Sequence, residues 1–308
     1  MVKALEIYMS ALERLLKLSG MKPQLVEVEP GTLIHFWLPN QTTKPKPKPK
    51  PAVVFLHGFG SNGIQQWQFQ ILSLATTYSV YVPSFLFFGD STTDKAERSP
   101  EFQAECIAKG LKKLGVEKCV LVGLSYGGIV GFKMAEKYPD LVKSMVVSCS
   151  VMALTESMSS DGLKRLGFSS WSELLIPRTV EDVKKVFDIV TYQLPWFPDF
   201  FYQHVLKTMS ANRKERTQLL EALVTSDKDV KIPYFSQKFH LLWGEHDEIF
   251  PLEVARNLEK QLKGRASLHC IEKAGHSVHL ERPFAFNNKL KKILTSIYEN
   301  ENENEHRY

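Results

Sequence analysis

The chain has 308 residues, 44% of them hydrophobic and 24% charged, which is enough to bury a full core in one large domain or in a domain with an insertion. A small scaffold held together by disulfides is therefore excluded. The formal net charge of +5 is carried largely by lysines in solvent-facing places. Without a nucleic-acid motif, this charge indicates a solvated basic surface and no nucleic-acid partner.

Residues 1–20 have the pattern of an amphipathic helix that ends at Gly20. Acidic and basic residues interrupt its leucines, whereas a signal peptide has an uncharged centre. Packing of this helix on the protein is the simpler interpretation, and contact with a membrane surface is the alternative. No segment is apolar enough to span a bilayer, and early acidic residues do not suit a transit peptide, so a cytoplasmic location is expected.

Two short strands follow, Leu25–Val28 and Thr32–Trp37, joined by a turn at Pro30-Gly31, and they predict a hairpin. The alternation of lysine and proline from Lys44 to Pro51 cannot enter a helix or a central strand. It predicts an extended connector of polyproline type. The continuous apolar run Ala52–Leu56 is typical of a parallel strand that is buried on both faces.

Strand-like and helical segments then alternate as far as residue 150. The predicted helices are Ile64–Thr77, Pro100–Leu114 and Gly128–Tyr138, and the predicted strands are Ser79–Pro83, Lys118–Val122 and Lys143–Ser148. The alternation predicts an α/β fold in which helices flank a mostly parallel central sheet through right-handed crossovers.

From Val151 to about Pro233 the chain has several helical runs and no strand-like run, and strands return with Phe239–Trp243 and Ala266–Ile271. The middle segment is therefore predicted to be a helical insertion between two strands of one sheet. The predicted organisation is an N-terminal helix at 1–20, a core at 21–150 and 236–298, a helical insertion at 151–235 and a disordered, Glu- and Asn-rich tail at 299–308.

One strand-to-helix junction carries a G-x-S-x-G pattern at residues 123–127, with Ser125 at its centre. A serine hydroxyl is a poor nucleophile at neutral pH, so it needs a sharp, exposed turn beside a base and backbone N–H donors. Glycines flank the serine because such a turn crowds any side chain. The pentapeptide is weak by itself, but a strand before it and a helix after it make Ser125 a candidate nucleophile.

A base and an acid are available at the same edge of the predicted sheet. His276 follows the last strand, and the segment 244–248 follows the strand before it, which offers Glu245, Asp247 or Glu248 as the acid. His279 is the competing base. The chain order of serine, acid and histidine is the one expected for a nucleophile elbow on such a sheet.

Other histidines have simpler interpretations. His57, in the turn after the strand Ala52–Leu56, is predicted to be structural and to bind backbone, and His246 is predicted to be exposed. A metal site built from His246, Asp247, His276 and His279 is disfavoured, because no pair of them has i, i+4 spacing on one helix face. No metal is expected.

Three of the four cysteines lie in or beside apolar runs, which predicts buried free thiols at Cys119, Cys149 and Cys270.

Together these motifs resemble the α/β-hydrolase superfamily, in particular the esterases and carbon-carbon bond hydrolases that carry a helical cap. The resemblance covers nearly everything from Leu25 to Tyr298. It is carried by His57-Gly58-Phe59-Gly60, the Ser125 elbow, Gly244-Glu245-His246-Asp247 with Pro251 shortly after, and Ala274-Gly275-His276. The order of these motifs is specific for the superfamily but not for a substrate.

The resemblance implies a role for each matched residue. Ser125 is the nucleophile, His276 the general base, and Asp247 the acid that orients the imidazole. The backbone N–H groups of Phe59 and Tyr126 form the oxyanion hole. A serine at the nucleophile position argues against the epoxide hydrolase and haloalkane dehalogenase branches, in which a carboxylate forms the covalent ester.

The resemblance also implies that the insertion is a cap over Ser125, and Trp196, Phe197 and Phe201 are candidate residues of an apolar pocket. For each of these aromatics alone, packing between the cap helices is the simpler interpretation. The segment Ser84–Ser91 departs from the family pattern because an aromatic-rich stretch replaces an acidic residue and repeated glycines.

The sequence thus predicts a cofactor-free serine hydrolase acting on a small to medium carboxylic ester with an apolar portion. One alternative is hydrolysis of a carbon-carbon bond in a diketone acid, which a cationic side chain near the pocket would favour. A second alternative is a small-molecule receptor that retains the triad.

Overall fold

The computed structural model describes residues 2–40, 50–193 and 195–305. Its helices are α1 (Val2–Leu18), α2 (Gly63–Leu74), α3 (Pro100–Lys113), α4 (Tyr126–Lys137), α5 (Glu156–Leu166), α6 (Trp171–Leu175), α7 (Val180–Val190), α8 (Asp199–Met209), α9 (Arg213–Glu221), α10 (Leu252–Gln261), α11 (Val278–Glu281) and α12 (Pro283–Glu305). Its strands are β1 (Met21–Glu29), β2 (Thr32–Pro39), β3 (Ala52–Leu56), β4 (Ser79–Pro83), β5 (Thr92–Thr93), β6 (Cys119–Leu124), β7 (Val142–Ser148), β8 (Leu154–Thr155), β9 (Val224–Thr225), β10 (Lys238–Gly244) and β11 (Ala266–Ile271).

Nine of the described strands form one large sheet in the order β1-β2-β4-β3-β6-β7-β10-β11, with β5 paired to β2. All pairs from β4 to β11 along this path are parallel, and the pairs of β2 are antiparallel. The predicted mostly parallel α/β sheet is confirmed. Strand β6 is buried along its whole length, as its continuous apolar sequence requires between two layers of helices.

The predicted hairpin is also present, with Val26 opposite Ile34 in the β1–β2 pair. Its turn places Gly31 at a φ of 75°, a left-handed conformation that glycine adopts at little cost. The two strands cover one edge of the parallel sheet. Their buried residues, among them Ile34 and Phe36, belong to the same core as the central strands.

Two of the predicted core helices, α2 and α3, begin at side-chain caps. The side chain of Asn62 accepts a hydrogen bond from the Gln65 N–H at the start of α2, and that of Ser99 accepts one from the Phe102 N–H at the start of α3. Pro100 occupies the first turn of α3, where a missing N–H removes no helical bond. These local signals explain why the boundaries agree closely with the sequence pattern.

Helices α5 to α9 lie between β7 and β10 in the chain, where the helical insertion is predicted. The insertion is not entirely helical, since β8 pairs in parallel with β9 through Leu154 opposite Val224 and Thr155 opposite Thr225. This pair corrects the prediction that the segment has no strand. Two residues are too few to show an alternating pattern, and only the folded chain brings these two segments together.

The two ends of the chain differ in how closely they follow the sequence pattern. The predicted N-terminal helix is α1, whose buried residues include Leu12 and Leu16. A disordered tail is predicted from residue 299, whereas α12 continues as a helix to Glu305, because extending an existing helix costs far less than nucleating one. Residues 306–308 and most of the predicted polyproline connector lie outside the described residues.

Within the described part of the chain, no helix combines the length and apolarity that a bilayer span requires.

Parallel pairing brings the carboxyl ends of the central strands to one edge of the sheet. Strand β3 ends just before His57, β6 just before Ser125, β10 three residues before Asp247 and β11 five residues before His276. The residues that the sequence singles out for chemistry therefore emerge at this edge.

Candidate active site

Ser125 stands at the sharp turn between β6 and α4. Its φ of 50° and ψ of −120° are strained for a residue with a side chain, at a cost on the order of 1–3 kcal/mol. The turn is held by its own backbone, since the Ser125 N–H donates to Ser148 O at 3.0 Å and the Gly128 N–H donates to Ser125 O at 2.8 Å. The Ser150 hydroxyl donates to the same carbonyl at 2.6 Å. The strained conformation is thus fixed from three sides.

The flanking glycines are required by close backbone packing. A Cβ atom at Gly127 would overlap Leu56 O and lie 2.6 Å from His57 O, and a Cβ at Gly123 would lie 2.6 Å from Gly127 O. These neighbours are backbone atoms of β3 and of the elbow itself, which cannot move aside as a side chain can. The glycine pattern therefore reflects how closely α4 crosses the end of β3.

We expect Gly127→Ala to lower the free energy of unfolding by about 3 kcal/mol, because overpacking against backbone strains the elbow. Gly162→Ala is the matched control: this α5 glycine has no positive φ, and its nearest contacts are ring atoms of Trp171 at 3.6 Å. It should be neutral or stabilising by up to about 1 kcal/mol. Urea unfolding of both variants tests this, and equal effects at the two sites would contradict it.

Asp247 and His276 form a buried pair. Nδ1 of His276 lies 2.9 Å from Asp247 Oδ2 and 3.0 Å from Oδ1. The exposed fractions of the two side chains are 9% for the histidine and 0% for the aspartate. The N–H groups of Ile249 and Phe250 each donate to Asp247 Oδ1 at 2.9 Å. Because an ionised carboxylate only accepts, Nδ1 must carry the proton, which leaves Nε2 as an acceptor.

The competing acids and bases lie elsewhere. Glu245 and Glu248 are exposed on either side of Asp247, and neither bonds His276 among the described residues. His279 is 1% exposed and packs on Trp67 with ring centroids 4.7 Å apart, and burial lowers its pKa to about 3. His246 is exposed, as predicted, and stacks on Tyr192. The Oγ of Ser125 makes no hydrogen bond with another described residue.

Cys149, directly after β7, is a third group beside this pair. One donor atom from each of Cys149, Asp247 and His276 lies within 4.8 Å of the other two, a grouping that sequence spacing does not show. Burial and the Asp247 carboxylate raise the pKa of the Cys149 thiol well above its ordinary value. A metal would need the thiolate and would compete for carboxylate oxygens that already accept hydrogen bonds. The trio therefore fits a metal poorly.

All four cysteines are free, and Cys106, Cys119 and Cys149 are buried, whereas Cys270 is half-buried. Cys270 lies in β11, at the edge of the sheet, which has only one neighbouring strand to cover it. The prediction of buried thiols is therefore met by Cys119 and Cys149 and only partly by Cys270.

The turn after β3 is built around His57, which is fully buried and binds backbone as predicted. Its Nδ1 lies 2.7 Å from Gly58 O, and the Phe85 N–H donates to its Nε2 at 3.0 Å. The ring is thus a neutral imidazole with the proton on Nδ1, and burial lowers its pKa to about 3. This histidine ties the turn to the Ser84–Ser91 loop.

Gln66 of α2, which the sequence reasoning missed, holds the same turn. The Gly58 N–H donates to Gln66 Oε1 at 2.7 Å, and Gln66 Nε2 donates to Gly58 O at 3.1 Å. In the sequence, the only signal is that this glutamine, like Gln70, falls on the largely apolar buried face of α2. The N–H groups of Phe59 and Tyr126 are left without an acceptor among the described residues, and their rings meet edge to face at 5.6 Å.

The aromatic Ser84–Ser91 loop closes one side of the site. Phe85 and Phe88 are fully buried: the ring of Phe85 meets Tyr126 at 5.4 Å, and the ring of Phe88 meets Phe59 at 5.2 Å. Both rings also contact His57. The loop therefore packs an apolar wall against the rings of His57, Phe59 and Tyr126, which the departure from the family pattern did not by itself reveal.

Arg216 of α9 reaches this wall from the insertion. It is 2% exposed, its Nε donates to Phe87 O at 3.0 Å, and its guanidinium carbon lies 4.1 Å from the centroid of the Phe88 ring. Its Nη1 donates to Thr208 O at 2.8 Å. Burial lowers its pKa to about 10. Arg216 has no carboxylate partner within the described part of the chain, so a buried cation lies one ring away from the His57 turn.

The three predicted pocket aromatics do not converge on Ser125. Trp196 is 85% exposed. Phe197 and Phe201 stack on each other at 4.2 Å, and Phe201 also meets Phe187 of α7 at 5.8 Å. These two rings pack the insertion helices together, the simpler of the two interpretations.

Comparison with known families gives a match over most of the chain. A family model described as alpha/beta hydrolase fold matches residues 51–283. The match begins at the connector before β3 and ends at the start of α12, so it includes every residue of the site described above.

Curated relatives with several activities are similar at low identity. Epoxide hydrolase 4 of Homo sapiens is 23% identical over 294 residues, covering 83% of this chain and 74% of its own. Lipase 1 of Psychrobacter immobilis is 26% identical over 231 residues, covering 73% and 70%. The 2-hydroxy-6-oxononadienedioate/2-hydroxy-6-oxononatrienedioate hydrolase of Escherichia coli is 25% identical over 215 residues, covering 67% and 72%.

Solved structures share the fold over nearly the whole chain. A bacterial membrane phospholipase A superposes with a TM-score of 0.80 at 22% identity, covering 96% of this chain and 92% of its own. At this identity, the likeness establishes the fold and leaves the reaction to be argued from the site.

Proposed function

This chain belongs to the α/β-hydrolase fold family, and from that premise we propose that it is a serine hydrolase with Ser125, His276 and Asp247 as its catalytic triad. The observation that carries the proposal is the buried His276–Asp247 pair at the sheet edge where the strained elbow presents Ser125. The most suitable substrate is a carboxylic ester of small to medium size with an apolar portion.

The chemistry follows from the protonation of His276. With Nδ1–H bound to Asp247, Nε2 accepts the Ser125 proton as Oγ attacks the ester carbonyl carbon. The tetrahedral intermediate collapses to an acyl-enzyme as the same proton passes to the departing alkoxide, which leaves as an alcohol. Water then attacks the acyl carbon and gives its proton to Nε2, and the carboxylic acid leaves as Ser125 Oγ recovers a proton.

The N–H groups of Phe59 and Tyr126 are the proposed donors to the oxyanion. Neither N–H group donates to another described residue, which supports this role. Tyr126 follows Ser125 in the elbow, and a Cβ atom at Gly58, the neighbour of Phe59, would lie 3.5 Å from the Cβ of Ser125. Such donors are worth on the order of 3 kcal/mol each when they point at developing charge. Gln66 and His57 keep the Phe59 turn in place, so the oxyanion site is organised before the substrate arrives.

The substrate preference rests on the surroundings of the site. Phe85 and Phe88 pack against the rings of Tyr126 and Phe59 and make the surroundings of the two proposed donor residues apolar, which suits an acyl or aryl portion better than a sugar or a phosphate. The name of one relative, Lipase 1, agrees with an ester substrate. Epoxide hydrolysis is not proposed despite the likeness to epoxide hydrolase 4, because the nucleophile is a serine and not a carboxylate.

A second candidate is hydrolysis of a carbon-carbon bond in a diketone acid. The observation that favours it is Arg216, a buried cation of the insertion without a carboxylate partner among the described residues. The name of the E. coli relative fits the same chemistry. In both candidates the insertion is proposed to act as a cap over Ser125.

Labelling with a fluorophosphonate probe and a panel of nitrophenyl esters tests the proposal. We expect stoichiometric labelling of the protein and multiple turnovers, with the highest kcat/KM for apolar acyl groups. A matched ester that carries a terminal carboxylate separates the candidates, because preference for the anionic ester would support the diketone acid. A single slow turnover would instead indicate a receptor that retains the triad, and absence of labelling would contradict the hydrolase.

A further inference from the structure

The carboxylate of Glu281 joins the loop that carries His276 to the insertion through hydrogen bonds. Glu281, the last residue of α11, accepts the Gly275 N–H at Oε2 at 2.8 Å and the Gln193 N–H at Oε1 at 2.7 Å. Gly275 directly precedes His276, and Gln193 belongs to the insertion. The two oxygens of a single side chain therefore join two segments that are far apart in sequence.

Residues 190–193, here called the strap, lie directly on the His276 loop. The Ser277 N–H donates to Val190 O at 2.8 Å. A Cβ atom at Gly275 would lie 2.9 Å from Thr191 Cα and from Tyr192 N, so the two backbones are nearly in contact. The contact thus includes the residues on both sides of His276.

A second contact holds the strap over the acid loop. The ring of Tyr192 stacks on His246, the neighbour of Asp247, with centroids 4.2 Å apart and planes at 25°. The strap consequently touches both loops that supply the His276–Asp247 pair. A shift of the strap would reach the His276 loop through these backbone contacts and through the Glu281 side chain.

Physical chemistry explains why a carboxylate stands at this point. Backbone N–H groups that lose water at a tight contact need acceptors, and charge-assisted bonds to a carboxylate are stronger than bonds to a neutral oxygen. A glutamate can also accept with both oxygens at once, whereas glutamine offers one oxygen and two N–H donors. Replacing Glu281 by glutamine would therefore set an amide N–H against one backbone N–H.

We infer that Glu281 is a positioning residue that sets the place of His276 by fastening the strap of the insertion to the catalytic loop. This inference rests on the proposed function, since it assigns His276 as the base. In this inference the insertion has two roles: it covers the site and it helps to set the position of His276. Misplacement of a catalytic group by about 1 Å can reduce a rate on the order of 100-fold.

Three variants of the full chain test the inference. Glu281→Gln keeps the size but loses the second acceptor, and Glu281→Asp keeps the charge but shortens the reach. Glu272→Gln is the control, because Glu272 is an exposed carboxylate of the same loop with no hydrogen bond to another described residue. Hydrogen exchange of the Gly275 and Gln193 amides and the steady-state hydrolysis of a nitrophenyl ester are measured for each.

We expect amide exchange at Gly275 and Gln193 to become about tenfold faster or more in Glu281→Gln, with kcat lower by about 10- to 100-fold and KM changed less than about threefold. Glu281→Asp should also give faster amide exchange and a lower kcat. Its side chain keeps the charge but is too short to accept the Gly275 and Gln193 N–H groups together. Glu272→Gln should match the unmodified protein in exchange, kcat and KM.

Unchanged exchange and unchanged kcat in Glu281→Gln would overturn the inference. The inference would also be overturned if the lower activity of Glu281→Gln came only from a smaller fraction of folded protein. In that case each folded molecule would have full activity, and Glu281→Asp would behave like the unmodified protein. The exchange measurement does not depend on turnover: if the unmodified protein fails to react with the ester, the proposed function fails, while exchange still decides whether Glu281 fastens the strap.

Discussion

Ser125→Ala is expected to lower kcat for ester hydrolysis by about 10⁵-fold and to abolish labelling by a fluorophosphonate probe. Removing the nucleophile of a serine triad costs on this order because only the oxyanion donors and substrate binding are left to act. The Ser125 backbone makes the elbow hydrogen bonds, and its Oγ bonds no other described residue, so the variant should fold. Intact-mass labelling and stopped assays at high enzyme concentration measure both effects.

Ser10→Ala is the control for this variant. Ser10 is an exposed serine of α1, and no hydrogen bond joins its side chain to another described residue. It should retain full labelling and turnover. If Ser125→Ala kept the probe adduct, a different serine would be the nucleophile and the assignment of the elbow would be wrong.

Asp247→Asn is expected to lower kcat by about 10⁴-fold with little loss of folded protein. The asparagine oxygen can still accept the N–H groups of Ile249 and Phe250, but its NH₂ group would face Nδ1 of His276. The imidazole would then place its proton on Nε2, where it can no longer accept the proton of Ser125. Steady-state kinetics together with urea unfolding separate the loss of chemistry from any loss of stability.

Glu245→Gln and Glu248→Gln are matched controls, since they remove the same charge from exposed positions beside the acid. Each should change kcat by less than about twofold, as a solvated surface charge contributes little. If either glutamate variant lowered kcat as much as Asp247→Asn does, that glutamate would be the acid of the triad.

Most strands and helices of the core could be predicted from the sequence, because the patterns that indicate them extend over only a few neighbouring residues. Apolar runs and glycines act over a few positions, so they predicted the strands β3, β4, β6, β7, β10 and β11 and the turn at Ser125. The order of the motifs also predicted that Ser125, Asp247 and His276 would emerge at one edge of the sheet. The Asp247–His276 contact is consistent with that order.

Residues that act across long sequence distances left no such signal. Arg216 binds Phe87 O, 129 residues away in the chain, and Glu281 binds the Gln193 N–H, 88 residues away. Charged residues such as Arg216 and Glu281 are common on helices, where solvent exposure is the ordinary expectation. Only packing shows which of them is buried against a carbonyl or a backbone N–H.

The aromatics of the insertion show the same limit. Composition indicated an apolar pocket, yet Trp196 points to solvent and Phe197 stacks on Phe201 within the insertion. The rings that pack against Phe59 and Tyr126 are instead those of Phe88 and Phe85, in the loop whose sequence departs from the family pattern.

The sequence by itself determined the fold class, the elbow and the order of candidate catalytic residues, because periodicity and turn chemistry are properties of neighbouring residues. The tertiary structure alone decided which aromatics pack against Phe59 and Tyr126 and how Glu281 joins the insertion to the His276 loop, whereas Asp247 was already the acid that the resemblance implied. Those outcomes depend on side-chain burial and on distances between elements, which a linear pattern does not contain.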